Sequence, residues 1–312
     1  MKLFIAAASV IALVLLPSAP AMTGSLQDNM AERAVQQYDA NGMDDNDGGS
    51  GKIALPAGTK VKRDVAYGTD TLQRMDVYLP QGAKGAPIFL MIHGGAWRIG
   101  DKESVSVVGN KVARWLPRGF IFVSVNNRLL PKADPLEQAR DIAKALSLVQ
   151  AQAASWGGDP TRIVLMGHSA GAHLVTLVAS DPKIASGQKV KPWLGTIALD
   201  SAALDVVAIM ELRHPRFYDK AFGSKPEYWR ASSPLHLLSS KPAPMLLVCS
   251  TERKGSCPPA QRYAEKGNSL GGKITVLPVA LSHKQINHDL GTVGAYTEAV
   301  ESFLRSLGID EI

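Results

Sequence analysis

The chain is poor in cysteine and in aromatic residues, and it has no run of lysine and arginine interleaved with aromatic side chains. Two cysteines in 312 residues allow one intramolecular disulfide, Cys249 with Cys257, and no other. Without a basic, aromatic-laced stretch, the net charge of +6 gives no argument for a nucleic-acid partner. The charge is also uneven, since residues 22–50 carry one Arg against six Asp or Glu and the rest of the chain is basic. No internal repeat and no second domain are visible. The only long apolar run, 3–16, is shorter than the roughly 20 residues a membrane-crossing helix needs, so no stable membrane anchor is expected. The acidic stretch 44–51 resembles the middle of a calcium loop, but Met43 and Ala54 stand where its first and last ligands belong. No metal and no cofactor are therefore expected.

A positive start at Lys2, the apolar run and the small-residue exit Pro17-Ser18-Ala19-Pro20-Ala21 make residues 1–21 a secretory signal peptide. A periplasmic or secreted destination follows, and with it a compartment in which disulfides persist. A Cys249–Cys257 bridge closes so short a loop that the chain-entropy picture assigns it about 2 to 3 kcal/mol. Residues 22–58 are too polar to order themselves and read as a flexible acidic leader.

From residue 59 to 312 strands and helices alternate. Strands are expected at 59–67 and 74–79 as an antiparallel opening pair, then at 87–92, 120–125, 163–166, 194–199, 245–249 and 274–279 as the short apolar runs of a buried parallel sheet. Helical spacing marks 135–152, 169–179, 258–270 and 294–307. The fold class is α/β, a mostly parallel sheet with helices on both faces. Residues 203–236, rich in Phe, Tyr and Trp without a strand pattern, suit a small inserted cap.

Gly167-His168-Ser169-Ala170-Gly171 falls where strand 163–166 hands over to helix 169–179. A Gly-x-Ser-x-Gly turn in that context is tight, strained and exposes the serine hydroxyl, while the helix that follows aims unpaired N–H groups at a developing oxyanion. Ser169 is the candidate nucleophile. His93-Gly94-Gly95-Ala96-Trp97 ends strand 87–92, and the N–H groups of Gly95 and Ala96, opposed by that of Ala170, are the candidate oxyanion hole. His283, in the loop after the last strand, is the expected base, with His288 as its substitute. The orienting acid is less evident. Glu252 is the only acid in the loop after strand 245–249, although Arg253 and Lys254 beside it also suit an exposed charged loop. Asp200, at the end of the preceding strand, is the rival, and Asp205 stands third. The preference is for Glu252, whose loop a Cys249–Cys257 bridge would clamp.

These residues resemble the α/β-hydrolase superfamily, in particular the esterase and lipase branch that joins His-Gly-Gly-x-Trp to Gly-x-Ser-Ala-Gly, as in arylformamidases and in feruloyl and acetyl-xylan esterases. The resemblance covers about residues 60–307 and includes Asn126-Asn127-Arg128-Leu129-Leu130-Pro131 and Gly158-Asp159-Pro160-Thr161-Arg162-Ile163. It implies an α/β-hydrolase fold with Ser169 as nucleophile and His283 as base, acting on a small-molecule or polysaccharide-linked ester. The chain departs from these relatives at the acid, because they place Asp where this loop has Glu252. An aryl formamidase with the same triad, and a hydrolase fold kept only for binding, remain the alternatives.

Overall fold

In the computed structural model residues 52–312 are described, so the expected signal peptide and residues 22–51 of the leader lie outside them. Eight strands form one sheet: β1 (Lys60–Ala66), β2 (Arg74–Leu79), β3 (Ala86–Ile92), β4 (Ile121–Val125), β5 (Gly158–His168), β6 (Gly195–Leu199), β7 (Met245–Ser250) and β8 (Ile274–Val279). Their spatial order is β1-β2-β4-β3-β5-β6-β7-β8. The first two pairings are antiparallel and all the others parallel.

Apolar runs without alternation require both faces of a strand to be covered, and β3 shows how. Ile88, Leu90 and Ile92 enter one cluster with Ile163, Leu165 and Ile142, while Phe89 and Met91 face a second with Trp115, Phe120 and Met166. The Phe89 ring stacks on Phe120 at 5.1 Å and tilts against Trp115 at 4.9 Å. Fully burying each such side chain stabilises the fold by about 1.5 to 3 kcal/mol. The exposed edge strand β1 instead carries Lys60, Lys62, Arg63 and Asp64, charges that discourage pairing with another chain. The carboxylates of Asp64, Asp76 and Glu103 converge there, and Lys102 answers all three at 2.8 to 3.1 Å.

The connections are α1 (Val105–Trp115), α2 (Pro135–Gln152), α3 (Ala170–Ser180), α4 (Pro182–Gly187), α5 (Val206–Met210), α6 (Arg216–Phe222), α7 (Pro226–Ala231), α8 (Pro234–Leu237), α9 (Cys257–Ser269), α10 (His283–His288) and α11 (Ala295–Ser306). The start of α2 follows from its sequence: Asp134 caps the Glu137 N–H, Glu137 reaches back to the Asp134 N–H, and Pro135 takes the first turn. Residues 203–236 hold α5 to α8 and no strand, as the irregular composition suggests.

Candidate active site

Because β3, β5, β6 and β7 run parallel, their carboxyl ends share one edge of the sheet, where open α/β sheets gather binding groups. β5 ends at His168, α3 begins at Ala170, and Ser169 between them has φ 53° and ψ −116°. Such backbone costs about 1 to 3 kcal/mol and persists only where the surroundings impose it. The two flanking glycines allow the turn. A Cβ on Gly167 would lie 2.4 Å from the Gly171 carbonyl oxygen, and one on Gly171 would lie 2.5 Å from the carbonyls of Ile92 and His93 at the end of β3. Across the turn, a Cβ on Gly94 would stand 3.1 Å from that of Ser169. The His-Gly-Gly loop therefore touches the serine.

Strain gathers at this edge. Of six non-glycine residues with positive φ among the described residues, four are Ala96, Trp97, Ser169 and Asp200. The first two shape the loop after β3, in which the Arg98 and Ile99 N–H groups both donate to the Gly95 carbonyl. Ala170 is the first residue of α3, so its N–H has no acceptor within the helix.

His283 opens α10, which Ser282 and Gln285 cap reciprocally. The far end of that helix is fixed by the fully buried Lys111 of α1, whose ammonium donates to the Asn287 carbonyl at 2.6 Å and to Asn287 Oδ1 at 3.0 Å. The His283 ring lies 4.5 Å from that of His168, the residue before the serine, and His168 Nε2–H donates to the His283 carbonyl at 3.0 Å. His288, the substitute base, sits at the other end of α10 with an exposed side chain paired to Asp289.

The expectation for the acid needs correction. His283 Nδ1 meets Asp200 Oδ2 at 2.5 Å, whereas the favoured Glu252 is exposed. Asp200 directly follows β6, and its own φ of 54° belongs to the strained set. Asp205 is elsewhere, capping α5 through the Ala208 N–H and pairing with Arg262 at 3.1 Å. The loop after β7 supplies partners of Asp200 rather than the carboxylate that meets His283. Ser250 N–H donates to Asp200 Oδ1 at 2.9 Å, Arg253 Nη1 donates to Oδ2 at 2.8 Å, and the Ser256 hydroxyl also donates to Oδ1. Arg253 Nη1 lies against His283 Nδ1 as well. Burial alone would raise the Asp200 pKa, but the Arg253 charge, the His283 ring and the Ser256 hydroxyl outweigh it and hold the carboxyl well below the usual range. Cys249 and Cys257 are disulfide-bonded, so all three donors lie within one covalently closed ring.

Trp97, which closes the His-Gly-Gly-Ala-Trp stretch, is buried at 4 % exposure. Its ring packs against Phe222 at 4.9 Å and Tyr218 at 6.0 Å, and its indole N–H donates to His173 Nδ1 at 3.1 Å. His173 Nε2–H donates in turn to the Ser232 carbonyl at 2.8 Å. One neutral imidazole thus joins the loop after β3, helix α3 and the segment 203–236, a role its sequence position did not disclose. Burial lowers the His173 pKa to about 4, against the opposing hydrogen bond to Ser232. Since the unfolded chain takes up this proton near pH 6.5, the contribution is complete above that pH and is lost as pH falls toward 4, by on the order of 3 kcal/mol. Urea unfolding between pH 7 and pH 4.5 should show this slope, and His173→Gln should flatten it. An unchanged slope in the variant would assign the acid sensitivity to other groups.

A model of the BD-FAE family matches residues 75–261. Among curated relatives, a probable isoprenylcysteine alpha-carbonyl methylesterase of Arabidopsis thaliana is 36% identical over 115 residues, 36% of this chain and 24% of the relative. Esterase LipQ of Mycobacterium tuberculosis is 29% identical over 216 residues, 64% of this chain and 51% of the relative. The chain thus spans about a quarter to a half of the length of these relatives. Among solved structures, esterase B from Lactobacillus Rhamnosis aligns with a TM-score of 0.67 at 19% identity, over 92% of this chain and 94% of that one. A truncated carbohydrate esterase from gut microbiota gives 0.67 at 17% identity, over 83% of this chain and 99% of that one. At such identities the likeness is one of fold, the α/β-hydrolase fold.

Proposed function

The chain belongs to the BD-FAE family, and from that premise we propose that it is an exported serine hydrolase that cleaves carboxylic esters through an acyl-enzyme. The observation that carries this reading is the Asp200–His283 pair, its ring 4.5 Å from that of His168, the residue before a serine in strained backbone at a strand-to-helix turn. The esterase names of the relatives support it, and residues 1–21 support export to the periplasm or beyond.

With Nδ1–H donated to Asp200, the imidazole keeps its lone pair on Nε2 and serves as a base there. The Ser169 proton passes to Nε2 as Oγ bonds to the ester carbonyl carbon. The carbonyl electrons move to oxygen, where the N–H groups of Gly95, Ala96 and Ala170 receive the negative charge. Collapse breaks the carbon–oxygen bond to the alcohol, which leaves with the proton held on His283. Water then gives a proton to Nε2 and attacks the acyl-enzyme, and the returning proton releases Ser169. Nothing in this sequence requires a metal. The substrate class is a small-molecule or polysaccharide-linked ester.

Comparison of short 4-nitrophenyl esters with an aryl formamide tests the reading. Turnover of the esters with little turnover of the formamide is the expected result. Preference for the formamide would make the protein an amidase with the same triad, and inertness of folded, oxidised protein toward both would leave a binding protein.

A further inference from the structure

His173, for which the mechanism above has no task, is fully buried one helical turn after Ser169. Its backbone N–H donates to the Ser169 carbonyl at 3.1 Å, so the imidazole and the nucleophile are joined through the first turn of α3. The ring then reaches two other elements. An indole N–H can only donate and a peptide carbonyl can only accept, so the bonds to Trp97 and Ser232 fix the tautomer: Nδ1 accepts and Nε2 carries the proton.

Trp97 directly follows Ala96, whose N–H is a candidate oxyanion donor. Ala96 and Trp97 have left-handed backbone, with φ 49° and 61°, a conformation that residues with side chains keep only where their surroundings impose it. The Trp97 carbonyl accepts from the Leu130 N–H at 2.9 Å and from the Gln138 amide at 3.0 Å. Those bonds fix the backbone of the residue to the loop after β4 and to α2. Its indole N–H is given to His173 at 3.1 Å, and this bond ties the strained pair to the helix that starts beside Ser169.

We propose that His173 is a positioning residue for oxyanion stabilisation: by accepting the Trp97 indole N–H it holds the N–H groups of Gly95 and Ala96 in register with Ser169. The proposal rests on the ester-hydrolase reading above and deepens it by assigning the placement of the donors to a buried side chain. The second bond, to Ser232 in the segment 203–236, anchors the other ring nitrogen and serves stability. Displacing a donor by about 1 Å costs up to about 100-fold in rate. The loss falls on the transition state, where the oxygen carries charge, rather than on substrate binding.

Two substitutions divide the two bonds. His173→Asn puts an amide oxygen near the place of Nδ1 and keeps an acceptor for Trp97, but is too short to reach Ser232. His173→Gln extends an amide nitrogen toward the place of Nε2 and keeps the donor to Ser232, but withdraws the acceptor from Trp97. With 4-nitrophenyl butyrate, His173→Gln should lower kcat by about 10- to 100-fold at nearly unchanged KM, while His173→Asn stays within about threefold of wild type. Trp97→Phe, which removes the donor of the same bond, should reproduce the loss, and combining it with His173→Gln should add little. Rates are read where circular dichroism shows each variant folded. An Asn variant at least as slow as the Gln variant, or losses that multiply in the double variant, would overturn the proposal. Should neither His173 variant fold, Trp97→Phe decides: a fall in kcat at unchanged KM supports the proposal, and wild-type kcat overturns it. Wild type inert toward both the ester and a fluorophosphonate would instead sink the ester-hydrolase reading, and the proposal with it.

Discussion

Ser169→Ala is expected to lower kcat/KM for 4-nitrophenyl butyrate by about 10⁶-fold and to abolish covalent labelling by a fluorophosphonate. The loss is large because the oxyanion donors, which can still assist direct attack by water, do not replace an oxygen nucleophile activated by a base. The substitution removes one atom from a position whose backbone is set by its neighbours. Gly94, Gly167 and Gly171 are packed too closely to let the turn relax, so the variant should unfold at nearly the wild-type temperature. A fluorophosphonate reports on the serine independently of the substrate chosen. Labelling that persists in the variant, or turnover within tenfold of wild type, would place the nucleophile elsewhere.

The second large effect separates two carboxylates. Asp200→Asn should lower kcat by about 10⁴-fold, because an amide facing Nδ1 no longer fixes the tautomer or stabilises the imidazolium. Glu252→Gln should stay within about twofold of wild type, the change being made on an exposed side chain. Asp200 is also a fully buried anion opposite Arg253, and removing its charge leaves the guanidinium without that partner. Some loss of stability is therefore expected alongside the kinetic effect, and the rate must be read at a temperature where circular dichroism shows the variant folded. The reverse outcome, with Glu252→Gln inactive and Asp200→Asn active, would restore the acid to the loop after β7.

Ser169, the glycine loop and His283 were legible in the sequence because each belongs to a local pattern tied to one strand end. The sheet was legible for a related reason, since strands buried on both faces show as unbroken apolar runs. Helix α1 is harder to read: its β-branched residues and Gly109 lower its helix propensity, and it forms because Val107, Val108, Val112 and Trp115 are buried. The acid was harder still. β6 and β7 are neighbours, so either end could bring a carboxylate to the same imidazole, and the choice depends on a backbone turn at Asp200 that no residue type announces. Arg253 and Lys254 looked like marks of a solvated loop, yet the structure turns Arg253 inward against Asp200 and leaves Glu252 outside. Nothing in the sequence around His173 marks it as a link, because the partners of its two ring nitrogens, Trp97 and Ser232, lie far away along the chain.

On the mechanism proposed above, the bridge between Cys249 and Cys257 has a kinetic meaning apart from stability. It encloses Ser250, Arg253 and Ser256, three residues that donate to the Asp200 carboxylate beside His283. Donors held at fixed positions need not reorganise when the neighbouring imidazole gains and loses a proton. The disorder of that ring is surrendered once, when the sulfurs join during maturation, and is not demanded again in each catalytic cycle.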